Sequence, residues 1–537
     1  VRRLLLALTT IANLQSPSSA ATEVRGALDG VRLGLDHGGD YRLTEGQCAD
    51  CGVAPQALWY FRGETIAVPA RAPCGFDPKL TAQQDVRAWV RAYPSGDNSK
   101  PPLVWLGAPQ VSANLKLVDQ GRALAAADGS SLPFKVVPKL PTHPSYYDAS
   151  SVQHFAGRAL RLRGRMEAGS FVARTIWPQD YALDFGKLPY QPLAAGETLG
   201  SLVREGDGGA KQPPAARVLW QRDPQAARDW AGKPVLAIML NGAQGDDDEA
   251  HGGHFAVVTG AFGPRGEWDD WLVNNFYNLG AVSEKGIVAA TLPMDNYLAD
   301  LNSGQAWYRP SYMLVAVLKD ARAASLAQQA ISRVFNHFYR QDFEYRHATD
   351  NCTGISMETL RSLGWNIPQL GATSRAKAVA ALPYVTLKEQ SLAEGRKAYD
   401  YLVTEQTNLF PFAAFEAAGR DLLERVVGGR ADAGGLEGML AADIEALVYL
   451  RIPQFPSSRA FGAAPVDSID EYNQRVPADK ADWKIIPVAP RPFPPELKDA
   501  GASAQAPLPS LYALYGYAAA LAGLGALLAW RWLRKRR

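Results

Sequence analysis

The chain has 537 residues, with 56 Lys or Arg against 54 Asp or Glu. So even a balance leaves no basic footprint for nucleic acid, which is set aside as a partner. At 47% hydrophobic and 10% aromatic the chain can bury packed cores, and its length suits about two or three domains.

The chain opens with Val1-Arg2-Arg3, an apolar run Leu4-Leu5-Leu6-Ala7-Leu8 and a small-residue stretch ending Ser18-Ser19-Ala20. A basic start, a short apolar core and small residues predict a secretory signal over 1–21 and an exported mature chain. From 22 to 231 glycine and proline break the chain into short β-type runs. These include Ala57-Leu58-Trp59-Tyr60-Phe61, Thr65-Ile66-Ala67-Val68, Leu103-Val104-Trp105-Leu106, Phe134-Lys135-Val136-Val137 and Arg161-Leu162-Arg163-Gly164-Arg165. They predict a mainly β module, with Trp59, Tyr60 and Trp105 as core or groove-lining residues, and no repeat period points to a solenoid or propeller. Cys48, Cys51 and Cys74 cluster here. In an oxidising compartment Cys74 is expected to bond Cys48 or Cys51, while the Cys48–Cys51 spacing also fits a redox or metal pair.

A second module is expected over 232–370. Pro234 to Leu240 reads as a buried strand, and the loop 241–253 leads into His254-Phe255-Ala256-Val257-Val258-Thr259-Gly260. Two more strands are expected at Trp271 to Tyr277 and Ser311 to Leu318, then a helix marked by Ala327, Ile331, Val334, Phe335 and Phe338. The loop Tyr345 to Asn351 ends at Cys352, where it meets a helix from Thr353 to Leu363, with Gly364 and Pro368 as its stop. Unpaired N–H groups and the partial positive charge at a helix N-terminus favour thiolate over thiol, so Cys352 is the candidate nucleophile. His254, at the start of its strand, is the candidate base.

Residues 371–485 read as mostly helical and as a buttress. Seven prolines between Ile486 and Ser510 predict an extended stalk over 486–510, at about 3.1 Å per residue. The charge-free run Leu511 to Trp530 predicts a transmembrane helix over 511–532, and the basic end 533–537 a cytoplasmic tail. The localisation expected from these ends is a single-pass protein of the inner (cytoplasmic) membrane with its body facing the periplasm.

With Gly253-His254-Phe255-Ala256-Val257-Val258 opening a strand and Asp350-Asn351-Cys352-Thr353 opening a later helix, residues 232–370 resemble circularly permuted papain-fold proteins of the NlpC and LRAT-like group. They look closest to the Lnb-type periplasmic domain, in which an Asn-Cys pair follows a loop. The resemblance covers roughly a quarter of the chain. It implies a permuted papain-like module, strands before the Cys-bearing helix; with the mainly β module before it and the helical region and transmembrane helix after it, the expected fold class is α+β. It also implies Cys352 as nucleophile, His254 as base, and a polar residue on the next strand to orient the imidazole. Asn274 and Asn275 stand there, alternation allows only one of them, and Asn275 is the choice.

Other readings of these residues stay open. His251 is the rival base, Asp350 and Asn351 are turn and N-cap residues, Asn351 is also a candidate oxyanion donor, and the Cys352 N–H is another. His347 is expected in solvent. Asp246, Asp247, Asp248 and Glu249 beside His251 and His254 suggest a metal hydrolase as a minor alternative, but a Gly-rich loop lacks rigid ligand geometry. No cofactor or metal is assigned. The expected activity is a cysteine hydrolase or acyltransferase working through a thioester on a cell-wall peptide, lipoprotein or lipid. An envelope protein partner, or a purely scaffolding role on the same fold, is the non-catalytic alternative.

Overall fold

A computed structural model describes residues 31–497 apart from 45, 49–52, 54, 62–63, 70–74, 93–103, 106–107, 109, 141–142, 144, 206–212, 246–249, 279–286, 429–433, 458–461 and 485–492. The expected signal peptide and the acidic stretch Asp246–Glu249 therefore lie outside the described residues, as do Cys51 and Cys74. Cys48 is disulfide-bonded.

The N-terminal half holds a three-stranded sheet, Tyr41–Thr44, Ile66–Pro69 and Val104–Trp105, and a closed barrel of five strands. The barrel strands are Gln110–Val118, Ala123–Ala125, Ser131–Val136, Leu160–Glu167 and Ser170–Pro178. The run at Ala57 expected as a strand is instead the helix Pro55–Tyr60. Pro55 suits a first helical position, and Ala57 and Phe61, four apart, are both buried, which is a helical period and not an alternating one. Trp59 and Tyr60 on this helix meet Phe493 at ring-centroid distances of 4.8 and 5.8 Å, and Gln56 donates to the Leu497 carbonyl at 3.0 Å. Residues 493–497 of the expected stalk thus pack back onto the body and do not extend from it.

The second half is organised by one antiparallel sheet of seven strands. In chain order these are β1 (Ala215–Gln221), β2 (Pro234–Asn241), β3 (His254–Ala261), β4 (Leu272–Asn278), β5 (Ile287–Pro293), β6 (Ser311–Leu318) and β7 (Ile444–Ile452). Their spatial order is β1-β7-β6-β2-β3-β4-β5. Strands β1 and β7 fall outside the module expected at 232–370, and β7 lies in the stretch read as helical. The helices that concern the site are α1 (Arg322–Tyr339), α2 (Cys352–Ser362), α3 (Arg375–Lys388), α4 (Leu392–Val403) and α5 (Pro411–Gly428). Strands β2, β3 and β6 lie in the middle of the sheet and are buried almost end to end, with α1, α2 and α5 packed on β2 and β3.

The expected fold class needs one correction, and the localisation falls with it. Among the described residues no helix is long and apolar enough to cross a membrane, and the run expected to do so, 511–532, lies outside them. The longest helices bearing on the sheet, α1 and α5, have 18 residues each and interleave polar and charged side chains with apolar ones, as packing inside a protein requires. The fold is a mixed α+β body, and the single-pass inner-membrane assignment is withdrawn.

Two buried charge clusters bind the N-terminal half to the sheet. In one, Arg161 and Arg163 of the barrel meet Asp269, Asp270 and Asp295. In the other, His337 of α1 lies 2.6 Å from Asp342 and 3.0 Å from Asp85, while Arg333 lies 2.7 Å from Asp85. Asp85 belongs to the helix Ala82–Arg91, which a Thr81–Gln84 capping box starts. Burial pushes His337 down, but hydrogen bonds to Asp342 and Asp85 and their charges outweigh it and hold its pKa above the usual 6.5. Burial likewise pushes Asp85 up, while His337 and Arg333 bring it below the usual 3.8. A raised histidine contributes fully below its unfolded pKa and loses that contribution as pH rises through the folded one. A lowered aspartate contributes above its unfolded pKa and loses it as pH falls. His337→Gln should therefore cost most stability between the ordinary aspartate and histidine pKa values, about 4 and 6.5, and progressively less as pH rises above that range. Urea unfolding of wild type and variant across that range checks it; a cost independent of pH would contradict the linkage.

Candidate active site

Helix α2 starts where it does because Asn351 caps it. The Asn351 Oδ1 accepts from the N–H groups of Thr353 and Gly354, each at 2.9 Å. Its Nδ2 donates to the carbonyls of His347 at 2.9 Å and Leu409 at 3.0 Å. Both amide hydrogens are thus used within the protein, and Asn351 serves as cap and loop anchor, not as an oxyanion donor. Asp350 closes the preceding turn through paired backbone hydrogen bonds with Arg346, at 2.9 and 3.1 Å.

Strand β3 begins immediately after Gly253, whose φ of +77° favours glycine. A Cβ there would also meet the Asn241 carbonyl at 2.5 Å and Pro465 at 2.6 Å. This turn sets His254 as the first residue of the strand. Helix α2 packs on β3, so the N-terminus of the helix meets the start of the strand. Cys352 and His254 are 3% and 5% exposed, so the thiol and the imidazole are both buried.

The thiol is shifted strongly. Burial pushes it up, but the charge of His254, a hydrogen bond to that side chain, the Phe255 N–H and the Tyr345 hydroxyl outweigh burial and lower it to about 6. Cys352 is the free cysteine among the described residues. Tyr345 is pushed well above its ordinary value, by burial first and then by the negative charge at Cys352, while its phenolic oxygen accepts the Cys352 backbone N–H. Tyr345 therefore bridges the thiol and the N–H at the head of α2. Its ring lies 5.5 Å from Phe276 and stands edge-on to His347 at 5.5 Å. His347 is half-buried through that contact, where the sequence predicts a solvent position.

The two asparagines of β4 have different surroundings. Asn274 pairs with Val257 across the strands and is saturated. It donates to the Val257 carbonyl at 3.1 Å and Gln328 at 3.0 Å, and accepts from Thr291 at 3.0 Å and Gln328 at 2.8 Å. Asn274 knits the sheet to α1. Alternation turns Asn275 to the opposite face, the one it also assigns to His254. Asn275 is 2% exposed, and its Oδ1 has no hydrogen-bond partner among the described residues; neither has His254 Nε2. A buried acceptor and a buried imidazole nitrogen are thus left on neighbouring strands of one face.

His251 sits on the turn Ala250–Gly252, its ring 6.4 Å from Tyr472 and its carbonyl accepting from the Val466 N–H at 3.0 Å. It packs against the segment after β7, and His254 is the imidazole that acts on the thiol. Among the described residues no group of three or more His, Cys, Asp or Glu side chains could hold a metal.

Sequence reasoning missed Tyr345 and the network Tyr297–Asn241–Ser311. Tyr297 donates to Asn241 Oδ1, and Asn241 Nδ2 donates to Ser311 at 2.7 Å, beside His254 on the paired strand. Tyr345 stands seven positions before Cys352 in a loop with no periodicity, and only the Arg346–Asp350 turn folds it back to the thiol. No protein-family model matches the chain, no curated protein matches it, and no solved structure matches it.

Proposed function

We propose that this chain is a cysteine acyl-transfer enzyme, a hydrolase or acyltransferase that draws an acyl group from an amide or ester onto Cys352. The observation that carries this reading is the thiol lowered to about 6 at a helix N-terminus beside His254. At neutral pH such a group is chiefly thiolate, the form that attacks carbonyl carbon.

In this reading the Cys352 sulfur attacks, the C–S bond forms, and the bond to the leaving oxygen or nitrogen breaks as His254 delivers a proton to it. Water or another acceptor then attacks the thioester, gives its proton to His254, and releases the thiolate. The developing oxyanion falls to the Tyr345 hydroxyl, which the sulfur releases as the C–S bond forms, and Asn275 positions the imidazole through Nε2. The order of His strand before Cys helix supports the resemblance to the permuted papain-like group. With it come peptide amides, lipoproteins and lipids as acyl donors.

The test is trapping of the acyl-enzyme. Full-length protein is incubated with a p-nitrophenyl acyl ester, quenched in acid and digested for mass spectrometry. The acyl mass is expected on the Cys352 peptide, greatly reduced in His254→Ala and missing in Cys352→Ala. An unmodified Cys352 peptide, with the protein folded and the thiol still open to alkylation, would favour the scaffolding alternative.

A further inference from the structure

Among the described residues apolar exposure is concentrated in one place. Of the ten large hydrophobic side chains exposed among the described residues, five lie between 370 and 392: Leu370, Val379, Tyr384, Leu387 and Leu392. Helices α3 and α4 form an antiparallel hairpin, packed mainly on each other. On α3 the exposed residues Ala376, Val379, Ala380, Pro383, Tyr384 and Leu387 recur at three- and four-residue steps, so they form one outward stripe along the helix. Leu387 is 79% exposed and Tyr384 67%. A stripe so ordered and left uncovered marks an interaction surface, not scattered surface leucines.

The charges beside the stripe indicate what covers it. Helix α3 carries Arg375, Lys377 and Lys388 and no carboxylate. Lys377 and Lys388 are 61% and 64% exposed, and their nearest carboxylates, Asp470 and Glu389, are surface partners at 3.6 Å that exchange readily with other anions. An apolar stripe with cations at both ends and a tyrosine on it fits a lipid interface, where the apolar side chains enter the headgroup layer and the cations meet phosphates.

We propose that the outer face of the α3–α4 hairpin docks on an anionic lipid bilayer surface. The base of the hairpin reaches the loop that carries Cys352. Thr404 donates to the Ala348 carbonyl at 2.8 Å, and Tyr401 acts electrostatically on Tyr345. Docking would hold that loop beside the bilayer, and its use for catalysis, unlike the docking itself, rests on the proposed thiol chemistry.

Hydrogen exchange of the full chain, read by mass spectrometry on peptides within 375–403, tests the docking locally. It is measured with vesicles of phosphatidylethanolamine and phosphatidylglycerol, with phosphatidylcholine vesicles, and with none. Exchange is expected to slow about tenfold with the anionic vesicles alone. Tyr384→Ser with Leu387→Glu should abolish the slowing and leave Cys352 alkylation unchanged. Equal exchange in all three conditions would overturn the proposal, as would equal slowing by phosphatidylcholine. Slowing that grows with protein concentration without vesicles would also overturn it and assign the face to a second copy. Because the readout does not involve the thiol, failure here and failure of acyl-enzyme trapping are separate results.

Discussion

Removing the imidazole of His254 should move the pH midpoint of Cys352 alkylation from near 6 to above about 8.5. Burial alone raises this thiol, so the lowering is the work of its neighbours, with His254 the largest of them. The thiolate fraction at pH 7 should fall about thirtyfold in His254→Ala. The midpoint is the proper readout, because a more basic thiolate is intrinsically more nucleophilic and partly offsets the loss in rate. Tyr345→Phe removes one hydroxyl donor and should raise the midpoint by less. The measurement is iodoacetamide labelling of full-length protein across pH 4.5 to 10, followed on the Cys352 peptide. A wild-type midpoint near 8.5, or one that His254→Ala leaves unmoved, would remove the basis for a thiol–imidazole pair. His254→Gln, close in size and without the charge, separates loss of charge from loss of packing.

Arg163→Met should be the most destabilising single change in the barrel, at about 3–5 kcal/mol, because it strands buried carboxylates. Arg163 is wholly buried and reaches Asp295 at 2.7 Å and Asp270 at 2.7 Å. With Arg161 also on Asp269 and Asp270, two cations face three carboxylates. Asp270 takes up the imbalance. Burial pushes it up, the two arginines pull it down, Asp269 and Asp295 push it up again, and it settles at about 6. A carboxyl whose folded pKa lies above its unfolded value costs stability as pH rises from about 4 to about 6. Loss of one cation deepens that cost, so Arg163→Met should be more destabilising at pH 8 than at pH 5, where Asp270 keeps its proton. Thermal unfolding at both pH values checks this; an equal cost would refute the account. Arg163→Met with Asp295→Leu should recover much of the loss, since apolar side chains of similar volume replace buried ion pairs well. The helix Met294–Ala299 begins at the residue before Asp295 and carries Tyr297, so the clamp also steadies the network beside His254.

The parts of the site that were legible in the chain are those with local causes. Asn351 ahead of Cys352 is a side-chain cap acting two and three residues on, and Gly364, at φ +86°, stops the same helix. The helix expected from Thr353 to Leu363 is observed at Cys352–Ser362. Asn274 and Asn275 stand as alternatives on one strand with Asn275 the choice, but the physical ground that sets Asn274 apart is the register Val257↔Asn274 and its saturation by Gln328, 54 residues away.

Within Ile444–Ile452 the sequence is strand-like, yet alanine-rich helices around it led the whole stretch to be read as helical. It becomes β7 because β1 and β6 flank it and bury it on both sides. Tyr345, the Arg161–Arg163 clamp and the packing of Phe493 on Trp59 share that character. Each joins groups whose pairing no helical or strand period encodes, and each forms only when burial elsewhere has met the entropy of closing long loops. The sequence by itself determined the order of the histidine strand before the cysteine helix, the capped cysteine and the strand-opening histidine, because backbone propensity and capping act over a few residues. Only the tertiary structure decided that the thiol and imidazole meet, which tyrosine joins them and which asparagine is saturated by its neighbours, because distance and burial are properties of the packed chain.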